Sequence, residues 1–151
     1  MNFDQIDITG CRAVAALTRL GFLGPRHHAI VVGRNTGDGQ VYLAESTREA
    51  GYRLLTMDEF VAAYGGHAAV RIEPNRGSYS DAEVAQRALD ELMSGGEGRY
   101  HLVLNNCESF SNRAMHNHSV SHQVVNTVLG VVTMIGSVWL FRRRGRFGKF
   151  T

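Results

Sequence analysis

Cysteine, proline, lysine and late acidic residues are all scarce in this chain, and each shortage excludes something. Two cysteines, Cys11 and Cys107, are too few for a disulfide framework. One bridge between them is open to the chain, but a reduced compartment is the simpler reading. Two prolines in 151 residues exclude collagen and proline-rich linkers. A single lysine, Lys149, stands against fifteen arginines, the composition of a GC-rich genome. Residues Met1 to Gly10 contain acids and no basic stretch, so no secretory leader is predicted and the body is expected in the cytoplasm. There is no C-x-x-C pair, and the seven histidines form no ligand grid, so no metal and no cofactor is called for. His116, His118 and His122 read as a polar junction. Hydrophobic residues make up 44% and charged residues 20%, which rules out wholesale disorder. The length suffices for a core without staples.

Acidic residues are missing altogether after Glu108. Arg142, Arg143, Arg144, Arg146 and Lys149 crowd the last ten residues. Net charge is therefore −3 over residues 1–141 and +5 over the tail. Such a tail points to an anionic surface. The 18 residues before it, Val124 to Phe141 (VVNTVLGVVTMIGSVWLF), carry no charge. As a helix they would extend about 27 Å, close to the thickness of a bilayer core. Trp139 sits beside the arginines, where interfacial tryptophans lie. A membrane anchor with a basic clamp explains both features; a buried core helix is the competing reading. Residues 1–118 are read as the domain and 119–151 as the anchor and tail. The partner is a membrane, not a nucleic acid.

Within the domain, Phe3 to Ile8 alternates weakly as a short strand. Cys11 to Leu20 has apolar spacing that suits a short helix stopped by Gly21. HAIVV at His28 to Val32 and QVYLA at Gln40 to Ala44 are strands joined by the hairpin loop RNTGDG. Tyr52 to Leu55 and Ala68 to Ile72 are further strands. Thr56-Met57-Asp58-Glu59 and Ser80-Asp81-Ala82-Glu83 are capping boxes. The first opens a helix through Phe60, Val61 and Tyr64. The second opens one burying Val84, Ala88, Leu89 and Leu92. His101 to Leu104 is a short apolar stretch. Asn105 or Asn106 caps a third helix from about Cys107 to Met115. The pattern predicts an α+β domain, an antiparallel sheet of four to six strands with helices segregated from it.

The chemistry centres on Cys107. In the first turn of a helix, free N–H groups and the dipole favour a thiolate. A thiolate nucleophile needs a base, and His27-His28 opens a strand in the same domain. The bland alternative is a small core cysteine and a strand-edge histidine pair. Alternation puts the two histidines on opposite faces, so only one is expected to reach the thiol.

The blocks Arg26-His27-His28-Ala29-Ile30-Val31-Val32-Gly33, Val41-Tyr42-Leu43-Ala44 and Asn105-Asn106-Cys107-Glu108-Ser109-Phe110 resemble the lecithin:retinol acyltransferase family, which includes the HRAS-like suppressor phospholipase-acyltransferases. The resemblance extends over about residues 3–115 and is strong only at these blocks. It implies a circularly permuted papain-like (NlpC-like) fold, in which histidine precedes cysteine, and an apolar C-terminal helix. It makes Cys107 the nucleophile and His27 the general base. The residue that orients the base, usually histidine, falls at Tyr42, a departure that brings a phenol and no charge. Gln40 shares the Tyr42 face, and Glu45 takes the place if the strand bulges. Ser109 replaces a second histidine, and His101 is a bystander. The implied activity is thiol acyl transfer or phospholipase A action on phospholipid esters through a Cys107 thioester. Two other readings share the residues: a permuted papain-like cysteine peptidase, and a non-catalytic membrane-targeted module, for which the Tyr42 and Ser109 departures speak.

Overall fold

The hairpin loop closes as its composition dictates. Asn35 accepts the Gly37 N–H at 2.8 Å and Asp38 accepts that of Gln40 at 2.8 Å, two side-chain turns that reverse the chain. In the computed structural model, which describes residues 6–95, 106–117 and 133–134, this loop joins β2 (Arg26–Arg34) to β3 (Val41–Thr47). A second turn leads to β4 (Gly51–Thr56). On the other side of β2 lie β1 (Arg12–Ala16) and then β5 (Arg71–Glu73). The sheet order is β4-β3-β2-β1-β5, and all neighbours are antiparallel.

Both capping boxes form. Thr56 starts α1 (Met57–Tyr64) and Ser80 starts α2 (Asp81–Met93), each with reciprocal bonds to the glutamate three residues on. Asn106 caps α3 (Cys107–His116), its side chain accepting the Ser109 N–H at 2.9 Å. Arg87 of α2 donates to the carbonyls of Arg113 and Ala114 at the end of α3, where a cation complements the helix dipole. The chain divides into two units, Met1–Ser121 and His122–Thr151, and all these elements belong to the first.

The sheet is covered on both faces. Ala13, Ala15, Ala29, Val31, Leu43 and Leu55 pack with Phe60 of α1. Ile30 and Ala44 face Val84 and Ala88 of α2 and Phe110, Ala114 and Met115 of α3. Full burial of a side chain such as Phe60 or Ile30 contributes about 1.5–3 kcal/mol, so β2, apolar on both sides, is the centre of the core.

Two expectations are corrected here. Cys11 to Leu20 is not a helix: Arg12 to Ala16 forms β1, with Ala13 to Ala16 all buried. A short run buried on both faces has no period to read, and pairing with β2 and β5 decides its state. Ile6 to Ile8 is irregular and leads into a turn at Thr9-Gly10, so the strand expected over Phe3 to Ile8 is absent from its described part. No apolar C-terminal helix is found among the described residues, none of whose helices is long and apolar enough to cross a membrane. The segment Val124 to Phe141 lies outside the described residues except for Thr133 and Met134, and residues 101–105 lie outside them too.

Candidate functional site

A one-residue irregularity in β2 sets up the site. Between the pairs Val31↔Leu43 and Gly33↔Tyr42 the register shifts, leaving Val32 as an extra residue. Gly33 has φ 134°, a conformation that a side chain would strain. Because a shift of one residue turns a strand over, the bulge exchanges the faces of β3 relative to the start of β2. Continued without it, the hairpin register would put Tyr42, Ala44 and Ser46 on the His27 face. With it, Leu43, Glu45 and Thr47 lie there, and Glu45 pairs with Ala29, two residues from His27.

His27 Nε2 lies 2.7 Å from Glu45 Oε2. The ring rests on Tyr64 of α1, centroids 4.3 Å apart, and stacks on Phe60 at 5.8 Å. With Nε2 engaged, Nδ1 is the ring nitrogen left to interact with Cys107, whose side chain is near enough to raise the His27 pKa. Cys107 is the first residue of α3 and is buried, with Sγ 3.9 Å from the Arg26 carbonyl. The structure thus brings together His27 and Cys107, with Glu45 behind them. Cys107 and Cys11 are both free.

Burial alone would lower the pKa of His27. The Cys107 side chain and then the Glu45 carboxylate outweigh it, raising His27 from 6.5 to about 9. Burial likewise works against the Glu45 carboxylate, but His27 and Arg53 hold it below the usual glutamate value. Arg53 Nε donates to Glu45 Oε1 at 2.6 Å, and the Tyr64 hydroxyl donates to the same oxygen at 3.4 Å. Glu45 is fully buried, whereas the Arg53 side chain is 42% exposed.

His28 points to the other face of the sheet, as alternation requires. Burial, then Arg12, pushes it down to about 3, so it stays neutral in any ordinary buffer. It does not share the Glu45 contact of His27.

Tyr42 is not part of the group. Its hydroxyl donates to Asp38 at 2.9 Å in the exposed hairpin loop. The bulge is the reason: it turns Tyr42 away and brings Glu45 in. Gln40 lies outside β3, next to the same loop. Ser109 is fully buried within α3, in the interior, and His101 lies outside the described residues. Arg53 and Tyr64 are the partners that sequence reading missed. Arg53 had a signal, since the short turn after Thr47 pairs it directly with Glu45. Tyr64 had a fainter one, its place four residues after Phe60 on α1.

Among the described residues no three His, Cys, Asp or Glu side chains gather as a metal site requires. At the start of α3 the N–H groups of Cys107 and Glu108 precede the first intrahelical acceptors, as in any first turn. The group combines a thiol, an imidazole and a buried carboxylate, with the backbone N–H groups of a helix start beside the thiol. In comparisons with known proteins, no family model, no curated protein and no solved structure matches the chain.

Proposed function

We propose that this chain is a membrane-associated thiol acyltransferase or phospholipase A, acting on phospholipid acyl esters through a thioester at Cys107. The observation that carries the proposal is the His27 imidazole held between Cys107 and the buried Glu45 carboxylate. A core cysteine would need neither a base nor a buried acid to orient it. The order His27, Glu45, Cys107, with the nucleophile opening a helix, supports the finer reading of a permuted papain-like domain of the lecithin:retinol acyltransferase type. The uncharged stretch Val124 to Phe141 and its basic tail support a bilayer as the place of action.

The chemistry runs in two steps. His27 takes the Cys107 proton, and the thiolate attacks the ester carbonyl. In this reading the N–H of Cys107, at the start of α3, donates to the negative oxygen. As the tetrahedral adduct collapses, His27 returns its proton to the departing lysolipid oxygen, and the thioester remains. In the second step neutral His27 takes a proton from water, a hydroxyl or an amine, which attacks the thioester. The acyl group leaves on that acceptor, and the sulfur recovers its proton from His27. Glu45 keeps Nε2 protonated throughout, so Nδ1 faces the sulfur.

A long-chain acyl probe reactive towards thiols tests this. Intact mass should show one acyl adduct on the wild type and none on Cys107→Ala. Vesicle phospholipid should be cleaved and unstructured peptides left whole. Peptide cleavage without lysolipid release would move the assignment to a cysteine peptidase. Absence of any adduct would leave a binding module.

A further inference from the structure

The connection from β1 to β2, Leu17 to Pro25, holds its leucines in solvent. Leu23 is 97% exposed, Leu20 68% and Leu17 41%. This is an ordered loop. Its base is closed by Leu17 N–H to the Pro25 carbonyl at 3.0 Å. Successive turns follow inside it, Gly21 to Thr18 at 3.0 Å and Gly24 to Gly21 at 3.1 Å. Backbone bonds of this kind present the leucines outward, where water gives them nothing.

The surroundings are basic. No acid occurs in β1, the loop or β2, from Arg12 to Arg34. Arg19 is exposed within the loop. Arg71 of β5 lies over the Phe22 ring, 3.5 Å from its centroid, tying a second exposed cation to the apolar tip. Glu73, at the far end of β5, is paired in register with Arg12 rather than with the loop. The loop also adjoins the nucleophile: Arg26, paired with Ala16 at its base, offers its carbonyl to Cys107 Sγ.

We propose that the Leu17–Pro25 loop inserts into the headgroup and acyl boundary of an anionic bilayer, seating Cys107 at the lipid surface. Exposed leucines flanked by Arg19 and Arg71, in a loop without acids, fit that partner by both packing and charge. Delivery of an ester to the thiol rests on the acyl-transfer reading above; the docking itself does not.

The test uses the full chain carrying Leu23→Trp with Trp139→Phe, so that the single indole reports on the loop. Vesicles contain phosphatidylglycerol with brominated acyl chains. Indole emission should shift to the blue and be quenched by the bromines, and adding Arg19→Glu should reduce the quenching. Cys107→Ala in the same background should be quenched equally. Cosedimentation of the chain with vesicles but no quenching would overturn the proposal, as would no cosedimentation. A blue shift that grows with protein concentration without lipid would overturn it in favour of contact between copies. Quenching without any acyl adduct would sink the enzyme reading and leave the docking intact. Adduct formation without quenching would do the reverse.

Discussion

Replacing Glu45 by glutamine keeps the shape of the site and removes one charge. Raising His27 from 6.5 to about 9 corresponds to about 3.5 kcal/mol, at about 1.4 kcal/mol per pH unit. Cys107 contributes more of this than Glu45, so the carboxylate supplies the smaller part of the upward push. His27 should then titrate lower in Glu45→Gln, by about one pH unit for each ~1.4 kcal/mol of attraction removed. The acyl-probe reaction should slow on the order of 100-fold, because the third group both fixes the tautomer and stabilises the imidazolium. Stability should fall by about 2 kcal/mol, since Arg53 loses its buried partner but keeps some solvation.

The sign of the pH dependence follows from the two directions. His27 is raised above its ordinary value, so its contribution is complete below pH 6.5 and is lost as pH rises through about 9. Glu45 is lowered, so its contribution is present above pH 4.5 and is lost as the medium becomes acid enough to protonate it. The wild type should therefore lose stability between pH 7 and about 9, and Glu45→Gln should lose less. NMR titration of the His27 ring, urea unfolding across that range and the rate of probe labelling measure the three quantities. An unchanged His27 titration in Glu45→Gln would refute the reasoning, because the carboxylate would then carry no charge coupling to the base.

Four further outcomes are expected. Cys107→Ser and His27→Ala should each abolish acyl-probe labelling, and the double variant should be no worse than either; His28→Ala should keep labelling while losing about 2 kcal/mol in urea unfolding from the buried volume removed. Tyr42→Phe removes only a surface bond to Asp38, so the labelling rate should hold and stability should stay within about 0.5 kcal/mol; a large loss of rate would return the orienting role to the phenol. A side chain at Gly77 would run into the Met115 carbonyl, so Gly77→Ala should cost roughly 2 kcal/mol and lower Tm by about 5 °C in a thermal scan. High salt should weaken vesicle binding by screening the basic tail without releasing the chain; complete release in a flotation assay would assign Val124 to Phe141 to the domain interior.

Much of the fold was legible because local chemistry and final structure agree. The RNTGDG loop, the two capping boxes and the Asn106 cap each need only a few adjacent residues. The first strand was not legible for the opposite reason. The residues of β1, Arg-Ala-Val-Ala-Ala, have high helix propensity and no alternation. Only their neighbours make them a strand, with β2 on one side and β5 on the other. Distances along the chain from Ala13 to Ala29 and Ile72 put that information beyond any local reading.

The site divides along the same line. Cys107 and His27 were named from short blocks, and each sits where its own element puts it. The third residue depended on which face β3 turns to His27, and one extra residue in β2 decides that. Tyr42 was named from the family resemblance, with Leu43-Ala44 as the match, and Glu45 only on condition of a bulge; the bulge at Val32-Gly33 meets that condition. Glu45 in place of Tyr42 also changes the physics. A phenol at that position could orient the imidazole but would add no charge to the larger upward push from Cys107. A carboxylate adds one, provided its burial is offset, and Arg53 on the next strand does so directly opposite. When the thiol is ionised the side chains run Arg53, Glu45, His27, Cys107, with charges alternating from the half-exposed guanidinium to the buried sulfur. Every charge in that row has an opposite one beside it, so the buried acid is tolerable only while the base is protonated or the arginine is in place. The position of Arg53 is thus as much a part of the base as Glu45 itself, although neither touches the sulfur.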